Sequence, residues 1–300
     1  MIKPSPDKVS AIIVSYDSAG VLPACLQALA REGVGAIVVD NASSDESCAI
    51  ARAHGATLLR NGANEGYGRA NNRGVEACAT PFALIVNPDC EVQPGAIAAL
   101  LAAAERYRDA GMLAPRIVEP SGRVFLQSRS LLSPPHLNQA RAAALPEGDA
   151  CLPFLSGACM LVRREAFLAL GGFDREIFLF YEDDDLCRRM RDAGHSLVHV
   201  HEAVAVHGRG QSSAPSVARR FKARWHLAWS ERHVAAKYGL PLPGPADILK
   251  NIAKTVGYAL ILNPLKMSAH AGSVAGAVAA MRGRSALAHE GLSAKSGAGS

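Results

Sequence analysis

The sequence predicts an α/β fold in which a mostly parallel sheet is followed by a helical C-terminal region. Two observations support this. Short runs that are apolar throughout alternate with amphipathic helical segments, which is typical of parallel strands covered on both faces. The last third of the chain then shows helical periodicity. The 300 residues, of which 49% are hydrophobic, suffice for one large domain or two small ones.

Four strands and four helices are predicted in alternation up to residue 107. The strands are expected at 9–15, 36–40, 56–60 and 82–87, and the helices at 20–32, 45–54, 68–78 and 94–107. Asp45 or Ser43 suits the start of the second helix, and Pro94 suits the first turn of the fourth.

The pattern is looser after residue 112. We expect strands at 112–118, 123–128, 154–163 and 196–208, helices at 164–170 and 182–193, and a long loop at 129–150. Helices are then predicted at 216–238, 246–262 and 264–282. The predicted domains are an α/β domain at 1–213, a basic amphipathic helical extension at 214–284 and a disordered tail at 285–300.

Cysteine usage and charge distribution narrow the class of protein. Seven scattered cysteines without a CxxC pair argue against a disulfide framework or a structural zinc site and indicate a reducing cytoplasm.

Residues 1–215 hold 20 Lys and Arg against 24 Asp and Glu, whereas residues 216–284 hold 11 against 2. An acidic body therefore carries a basic segment, which predicts an anionic partner.

Polar residues follow each of the first four predicted strands. They are Ser15, Tyr16 and Asp17; Asp40 and Asn41; Asn61 to Asn64; and Asn87 to Asp89. Ligands of open α/β sheets bind at the carboxyl ends of the strands. Each residue alone is well explained as turn chemistry, but four such sites in succession favour a pocket for a base and ribose, with an acid that can take a metal.

Two common nucleotide motifs are absent from the sequence. "GYGRAN" (66–71) matches only two glycines of GxGxxG and follows the third strand, not the first. The acidic residue Asp40 lies before it, whereas the motif requires an acid about 20 residues after it. This argues against a dinucleotide site. No GxxxxGK[ST] sequence occurs, so a P-loop is excluded.

Asp89 is the predicted ligand of a divalent metal that bridges a diphosphate. His207, at the end of a strand, is a candidate partner, because imidazole suits Mn²⁺ or Zn²⁺. Strand parity places His199, His201 and His207 on one face, so a zinc cluster is an alternative. The simpler interpretation of His199 and His201 is half-buried strand residues.

The segment "YEDDDLCRRMRDAG" (181–194) places four acids in the first turn of a helix. Favourable interaction with the helix dipole is one explanation. The other is that Phe178, Phe180 and Tyr181 partly bury the acids, so that one of them has a raised pKa and serves as a general base. Both interpretations stay open, and Arg188 and Arg189 are spaced to pair with the acids.

The segments together resemble the family 2 glycosyltransferases, which have the GT-A fold, and especially a bacterial rhamnosyltransferase-like branch. The matching segments are "AIIVSYDS", "IVVDNASSD", "NEGYGRANNRG", "LIVNPDCEV", "SGACMLVRREAFLALGGFDREIFLFYEDDDLCRR" and "VHGRGQSS". They occur in the family's order over residues 9–213.

The resemblance implies a role for each matching residue. The implied nucleotide-sugar site comprises Ser15, Tyr16, Asp17, Asp40, Asn64, Gly66, Asn71, Asn87, Gly157, Ala158 and Glu182. Asp89, at the end of the family's DxD motif, and His207 would hold Mg²⁺ or Mn²⁺, while Asn87 replaces the motif's first acid. Asp183, the second residue of the family's ED motif, would be the catalytic base.

The implied reaction is an inverting transfer of a sugar, such as the deoxyhexose rhamnose, from a dTDP- or UDP-sugar to a hydroxyl of a glycan or polyprenyl-linked acceptor. A sugar-phosphate nucleotidyltransferase of similar fold is the alternative, but "VSYDSAG" lacks the basic Gly-rich loop that such enzymes carry after the first strand. A nucleic-acid-binding protein is disfavoured by the acidic body.

The basic segment has the composition of an interfacial helix. Trp225 and Trp229 lie among five basic residues at 219–232, and Leu249, Ile252 and Val256 recur at helical spacing. Helices packed on the catalytic domain explain the pattern equally well. Because the family often uses polyprenyl-linked acceptors, we expect contact with an anionic membrane surface through 216–284. The expected location is cytoplasmic and peripheral, on the inner face of a bacterial inner membrane.

Overall fold

The computed structural model describes residues 7–126, 130–133, 145–208 and 216–293. The chain forms two compact units. The first consists of Met1–Asn64, Arg69–Phe173 and Asp183–Ser213, and the second of Glu65–Gly68, Asp174–Glu182 and Ala214–Ser300. The division therefore differs from the predicted boundary at 213, because two short segments from the first part of the chain pack with the C-terminal helices.

A mixed sheet forms the centre of the first unit. Its strands are β1 (Val9–Ser15), β2 (Gly35–Asp40), β3 (Thr57–Arg60), β4 (Phe82–Val86), β5 (Cys90–Val92), β6 (Ala110–Val118), β7 (Val124–Phe125), β8 (Ala150–Cys151), β9 (Cys159–Arg163) and β10 (Ser196–His207). The main order is β3-β2-β1-β4-β9-β6-β10-β5. Strands β1 to β3 are parallel to their neighbours and β4 is parallel to β1, whereas β9 is antiparallel to both β4 and β6.

Helices connect the strands and continue into the C-terminal region. They are α1 (Leu22–Arg31), α2 (Ser47–Ala53), α3 (Tyr67–Ala77), α4 (Ala96–Arg106), α5 (Arg164–Ala169), α6 (Glu182–Asp192), α7 (Val217–Lys237), α8 (Pro245–Leu260), α9 (Pro264–Met281) and α10 (Ala286–His289). The α/β alternation predicted from the sequence is therefore observed.

Burial on both faces explains why β1 is apolar throughout. Ala11 and Ile13 belong to a core that also contains Leu22 of α1. Ile12 lies on the other face, where its side chain meets Gly74 of α3 so closely that a Cβ on Gly74 would clash with it. Side chains alternate across a strand, so each of these residues has a helix to pack against.

Several local features differ from the prediction. Pro94 precedes α4, because Gly95 takes the N-cap position with φ of 84°. Strand β9 begins at Cys159 and not at 154. The three residues of β5 were not predicted as a strand, because so short a segment carries no periodic signal.

The second unit is built around a small aromatic core. Trp225 and Trp229 of α7 are only 4% and 5% exposed and pack with Phe178 and Leu287. Gly276 lets the backbone of α9 approach α7, because a Cβ there would clash with the Trp225 carbonyl oxygen. The sequence suggested α7 as an interfacial helix, but its tryptophans are buried in this core.

The prediction of a disordered tail is wrong for residues 285–293. Ser285 caps α10, its Oγ accepting a hydrogen bond of 3.1 Å from the Leu287 amide. Ala286 and Leu287 are buried. The remaining tail residues, 294–300, lie outside the described residues, as do 127–128 of a predicted strand and 129 and 134–144 of the predicted long loop. Within the described part of the chain, no helix is both long enough and apolar enough to cross a membrane.

Candidate active site

The carboxyl ends of β1, β2 and β3 meet at one edge of the sheet. Ser15 pairs with Asp40 in the β1–β2 register, and the Asn41 amide donates a 2.8 Å hydrogen bond to the Ser15 carbonyl. The Asn61 side chain in turn donates to Asn41 Oδ1 at 2.6 Å. The parallel register thus gathers the polar residues that the sequence placed after separate strands.

Ser15 and Asp40 carry buried polar atoms that need a partner. Both residues are fully buried. Asp40 Oδ2 accepts a 3.1 Å hydrogen bond from the Ser43 amide, but within the described residues Asp40 Oδ1 and Ser15 Oγ have no hydrogen-bond partner. Buried polar groups are normally satisfied, so these two atoms fit a site that a ligand completes.

Asp17 holds two loops together. Its Oδ1 accepts hydrogen bonds from the Ser44 amide at 2.8 Å and from Ser44 Oγ at 3.1 Å. Its backbone is left-handed, with φ of 48°, and Ala42 in the facing loop has φ of 62°. Such conformations are uncommon for residues other than glycine and tend to occur at functional sites. Tyr16, beside Asp17, is exposed.

Asp89 and His207 lie side by side because β5 pairs with β10. His207 is directly opposite Cys90 in the antiparallel register. His207 Nε2 is consequently 3.1 Å from Asp89 Oδ1 and 3.4 Å from Asn87 Nδ2. Strand pairing therefore brings together the two residues that the resemblance assigned to a metal.

The residues present fit a divalent metal that would take its remaining ligands from a diphosphate and water. One carboxylate and one imidazole offer two ligands, and among the described residues no group of three His, Cys, Asp or Glu could hold an ion. Mg²⁺ often takes few protein ligands and completes its shell with phosphate oxygens and water, and imidazole also suits Mn²⁺.

The alternative of a zinc cluster on β10 is wrong, because His199 and His201 do not share a face with His207. The register of β10 against β6 shifts between Val200 and Val204. Before the shift Val198 and Val200 face the main core, and after it Ala203 and Ala205 do. This change of parity places His207 on the face opposite His199.

A short chain of hydrogen bonds links Asp183 to the metal-site residues. The Gly157 amide donates to Asp183 Oδ2 at 3.0 Å. The next residue, Ala158, accepts a 2.9 Å hydrogen bond at its carbonyl from the Asn87 amide. Asn87 follows β4, and its neighbour Val86 is paired with Cys159 of β9. The β4–β9 pairing thus places Asp183 near the end of β4.

Asp183 and Asp184 are adjacent acids, and both have raised pKa values. Burial raises the pKa of Asp183, and the hydrogen bond from Gly157 partly opposes this. Burial and the charge of Asp183 raise the pKa of Asp184 to about 8. Burial thus favours the neutral form of both acids, while the amides of Gly157 and Asp184, which donate to Asp183, stabilise negative charge on that carboxylate.

Ser130 is a site residue that the sequence did not reveal. Its hydroxyl donates a hydrogen bond to Asp184 Oδ1. Ser130 lies in the segment predicted as a long loop, and a single serine in such a segment carries no distinguishing signal. The contact anchors Asp184 beside the proposed base.

Another member of the acid cluster, Asp185, has a structural partner. Asp185 is fully buried and pairs with Arg189, whose Nη1 and Nη2 also donate to the Leu170 and Gly172 carbonyls at 3.0 Å and 2.7 Å. Arg188 pairs with Asp192, outside the cluster. Asp185 thus has a structural partner, whereas burial raises the pKa of Asp183 and of Asp184.

Four predicted donor-site residues remain. Asn71 is buried and Asn64 half-buried in the first unit. Gly66 and Glu182 belong to the second unit. Gly66 has φ of 86°, its missing Cβ leaves room for the Phe178 carbonyl, and Glu182 is buried at the first position of α6.

Solved structures with the same fold are nucleotide-sugar enzymes. A mannosyltransferase from Pyrobaculum calidifontis in complex with GDP-Man and Mn²⁺ matches with a TM-score of 0.55 and 16% identity, over 93% of this chain and 89% of that one. S. aureus TarS in complex with UDP-GlcNAc matches with a TM-score of 0.54 and 14% identity, over 92% of both chains. At such identities the likeness concerns the fold alone, and the fold is that of a GT-A glycosyltransferase.

Sequence comparison identifies the family. The family model described as Glycosyl transferase family 2 matches residues 10–171. The N-acetylglucosaminyl-diphospho-decaprenol L-rhamnosyltransferase of Mycobacterium tuberculosis (strain ATCC 25618 / H37Rv) is 32% identical over 262 residues, which cover 76% of this chain and 85% of the relative. Rhamnosyltransferase WbbL of Escherichia coli (strain K12) is 35% identical over 89 residues, 30% of this chain and 33% of that one. The chain belongs to glycosyltransferase family 2 and is a glycosyltransferase.

Proposed function

We propose that the protein transfers a deoxyhexose, with rhamnose as the first candidate, from a dTDP- or UDP-sugar to a hydroxyl of a polyprenyl-linked glycan. Two relatives are named as rhamnosyltransferases, and the name of the mycobacterial one specifies a decaprenol-linked N-acetylglucosaminyl diphosphate. The observation that carries the proposal is the chain of contacts joining Asp183, through Gly157, Ala158 and Asn87, to Asp89 and His207.

Asp183 is the proposed catalytic base. It takes the proton from the acceptor hydroxyl while that oxygen forms a bond to the anomeric carbon of the donor. The bond from the anomeric carbon to the diphosphate oxygen breaks, and the nucleoside diphosphate leaves with the electron pair. A single displacement from the opposite side inverts the anomeric centre.

The remaining residues bind and orient the donor. Ser15 and Asp40 offer unsatisfied acceptors at the strand ends, where a base or ribose hydroxyl can donate to them. Asp89 and His207 would hold Mg²⁺ or Mn²⁺, which stabilises negative charge on a leaving diphosphate. We also propose that the protein acts at the cytoplasmic surface of an anionic membrane, because a polyprenyl-linked acceptor resides there.

A donor and acceptor panel tests the proposal. Purified protein is incubated with UDP-, dTDP- and GDP-sugars and an N-acetylglucosaminyl-diphospho-polyprenol, with Mg²⁺, Mn²⁺ or a chelator. We expect acceptor-dependent release of nucleoside diphosphate, highest with dTDP-rhamnose, and mass spectrometry should show one deoxyhexose added to the lipid. Transfer of a different sugar would correct the donor, and formation of a nucleotide-sugar from a nucleoside triphosphate would refute the transferase mechanism.

A further inference from the structure

Helix α8 presents an apolar stripe to the outside of the second unit. Leu249, Ile252, Val256 and Leu260 are 65%, 43%, 55% and 79% exposed. Their spacing puts them on one side of the helix. The structure describes every residue of α8, and none of them is buried.

The side of α8 that packs is the more polar one. Ile248, Asn251, Thr255 and Tyr258 are half-buried. Asn251 Oδ1 lies 2.8 Å from His270 Nδ1 of α9, and the ring of Tyr258 stacks on His270 at 5.5 Å between centroids. A surface helix of a globular protein normally buries its apolar side and exposes its polar side. In α8 this arrangement is reversed.

The turn between α8 and α9 continues the apolar surface. Ile261 is 67% exposed and Leu262 is 88% exposed. Leu262 also has a left-handed backbone, with φ of 52°, which is unfavourable for a branched residue. A strained backbone that keeps the Leu262 side chain exposed to water indicates that this surface binds an apolar partner.

Positive charge accompanies the stripe. Residues 245–266 contain three lysines, Lys250, Lys254 and Lys266, and a single acid, Asp247. Across 216–293 there are 11 Lys and Arg against 3 Asp and Glu. A second copy of the chain would bring the same charge to this surface, whereas an anionic bilayer brings the opposite charge.

We propose that α8 and the turn at 261–262 form the surface by which the protein lies on an anionic lipid bilayer. The stripe enters the boundary between headgroups and acyl chains, and the lysines contact lipid phosphates. Sixteen residues of helix span about 24 Å, and the helix carries charged residues, so it lies in the interface plane. This surface rests on the proposed function, because a lipid-linked acceptor requires the enzyme to work at a membrane. The contacting helix is then α8 and not α7.

Cosedimentation with lipid vesicles tests this surface. Wild-type protein should bind vesicles made of equal parts phosphatidylglycerol and phosphatidylcholine, and bind pure phosphatidylcholine weakly. The double substitution Leu249→Ser/Leu260→Ser should lower the partition coefficient at least about tenfold, because two exposed apolar side chains no longer enter the bilayer. Leu131→Ser/Leu145→Ser, which changes two exposed leucines of the first unit, is the matched control and should bind as wild type.

Separate outcomes would overturn the membrane surface and the proposed function. Three results would each refute the membrane surface. The first is that wild type does not bind vesicles at all, and the second is that the Leu249/Leu260 variant binds them unchanged. The third is a solution dimer of wild type that the variant dissociates while it still binds vesicles. Sugar transfer to a short-chain, water-soluble acceptor should be unchanged in the variant, which shows that the fold is intact. If wild type binds vesicles but transfers no sugar to either acceptor, the proposed function fails and the membrane surface stands.

Discussion

His207 Nε2 lies 3.1 Å from Asp89 Oδ1, although the two residues are 118 positions apart in the chain. The antiparallel pairing of β5 with the end of β10 produces this contact. It joins the segment after the fourth strand to the last strand of the sheet, and the Asn87 amide joins the same segment to Ala158. Substitutions at these contacts, and in the packing of the second unit, have definite expected effects.

Removing either metal-site side chain should weaken metal-dependent donor binding. We expect Asp89→Ala and His207→Ala each to raise the Mn²⁺ concentration needed for half-maximal UDP or dTDP binding at least about tenfold. Removing a residue that only supports a metal ligand already lowers metal affinity about tenfold or more, so removing a ligand should lower it at least as much. Calorimetric titration at several Mn²⁺ concentrations measures this. His54→Ala, which removes an exposed imidazole that follows α2, is the control. An unchanged metal requirement in both variants would remove this pair from the site.

The unsatisfied oxygen of Asp40 should contribute to nucleotide affinity. Asp40→Asn keeps the size of the side chain but removes its charge and turns one acceptor into a donor. A charged hydrogen bond contributes about 1.5–3 kcal/mol, so we expect the Kd for UDP or dTDP to rise at least about tenfold. Asp109→Asn, at an exposed position, should leave the Kd unchanged. Equal Kd values for all three proteins would contradict a ligand at the β1–β2 edge.

The raised pKa of Asp184 should make stability fall as pH rises. An unfolded Asp titrates near pH 3.9, whereas folded Asp184 has a pKa of about 8. Between these values the folded state holds the extra proton, so the free energy of unfolding declines with rising pH, by at most about 1.4 kcal/mol per pH unit. Asp184→Asn stays neutral and should show a shallower decline. Urea midpoints at about pH 5 and about pH 8 test this, and parallel declines in both proteins would count against the raised pKa.

Glycine at position 276 should be needed for the packing of α9 on α7. Gly276→Ala places a methyl group against the Trp225 carbonyl oxygen, and we expect a loss of about 1–3 kcal/mol in unfolding free energy. Gly257→Ala on α8 is the control, because outside its own helix backbone no described atom lies within 4 Å of the place where its methyl group would sit. It should be neutral or gain up to about 1 kcal/mol from helix propensity. Equal effects of the two substitutions on denaturant midpoints would contradict the close approach.

The regular part of the fold could be predicted because its signals are local. The continuous apolar run of β1 follows from burial on both faces, and its bounds, Val9–Ser15, agree with the prediction. The carboxyl-end rule for parallel strands also predicts that Ser15 and Asp40 lie at the same edge of the sheet, and the observed β1–β2 register pairs them.

Features that depend on distant contacts could not be predicted. The register shift after Val200 reverses the parity of β10, and no residue pattern marks it. The burial of Trp225 and Trp229 depends on Phe178 and α10, so composition alone could not decide between an interfacial helix and a packed one. The helix α10 is different, because its signal is local: Ser285 is a suitable N-cap and is followed by the apolar residues Ala286 and Leu287. The small and polar residues around it led to the prediction of disorder.

The proposed mechanism depends above all on Asp183 as the base, and the transfer rate of Asp183→Asn at saturating donor is the decisive measurement. We expect transfer to the polyprenyl-linked acceptor to fall about 10²–10⁴-fold, the contribution of a general base, while the Kd for the nucleotide stays at the wild-type value. Asp192→Asn, on the same helix but exposed and paired with Arg188, should transfer at the wild-type rate. A wild-type rate in Asp183→Asn would show that the base lies elsewhere and refute the mechanism.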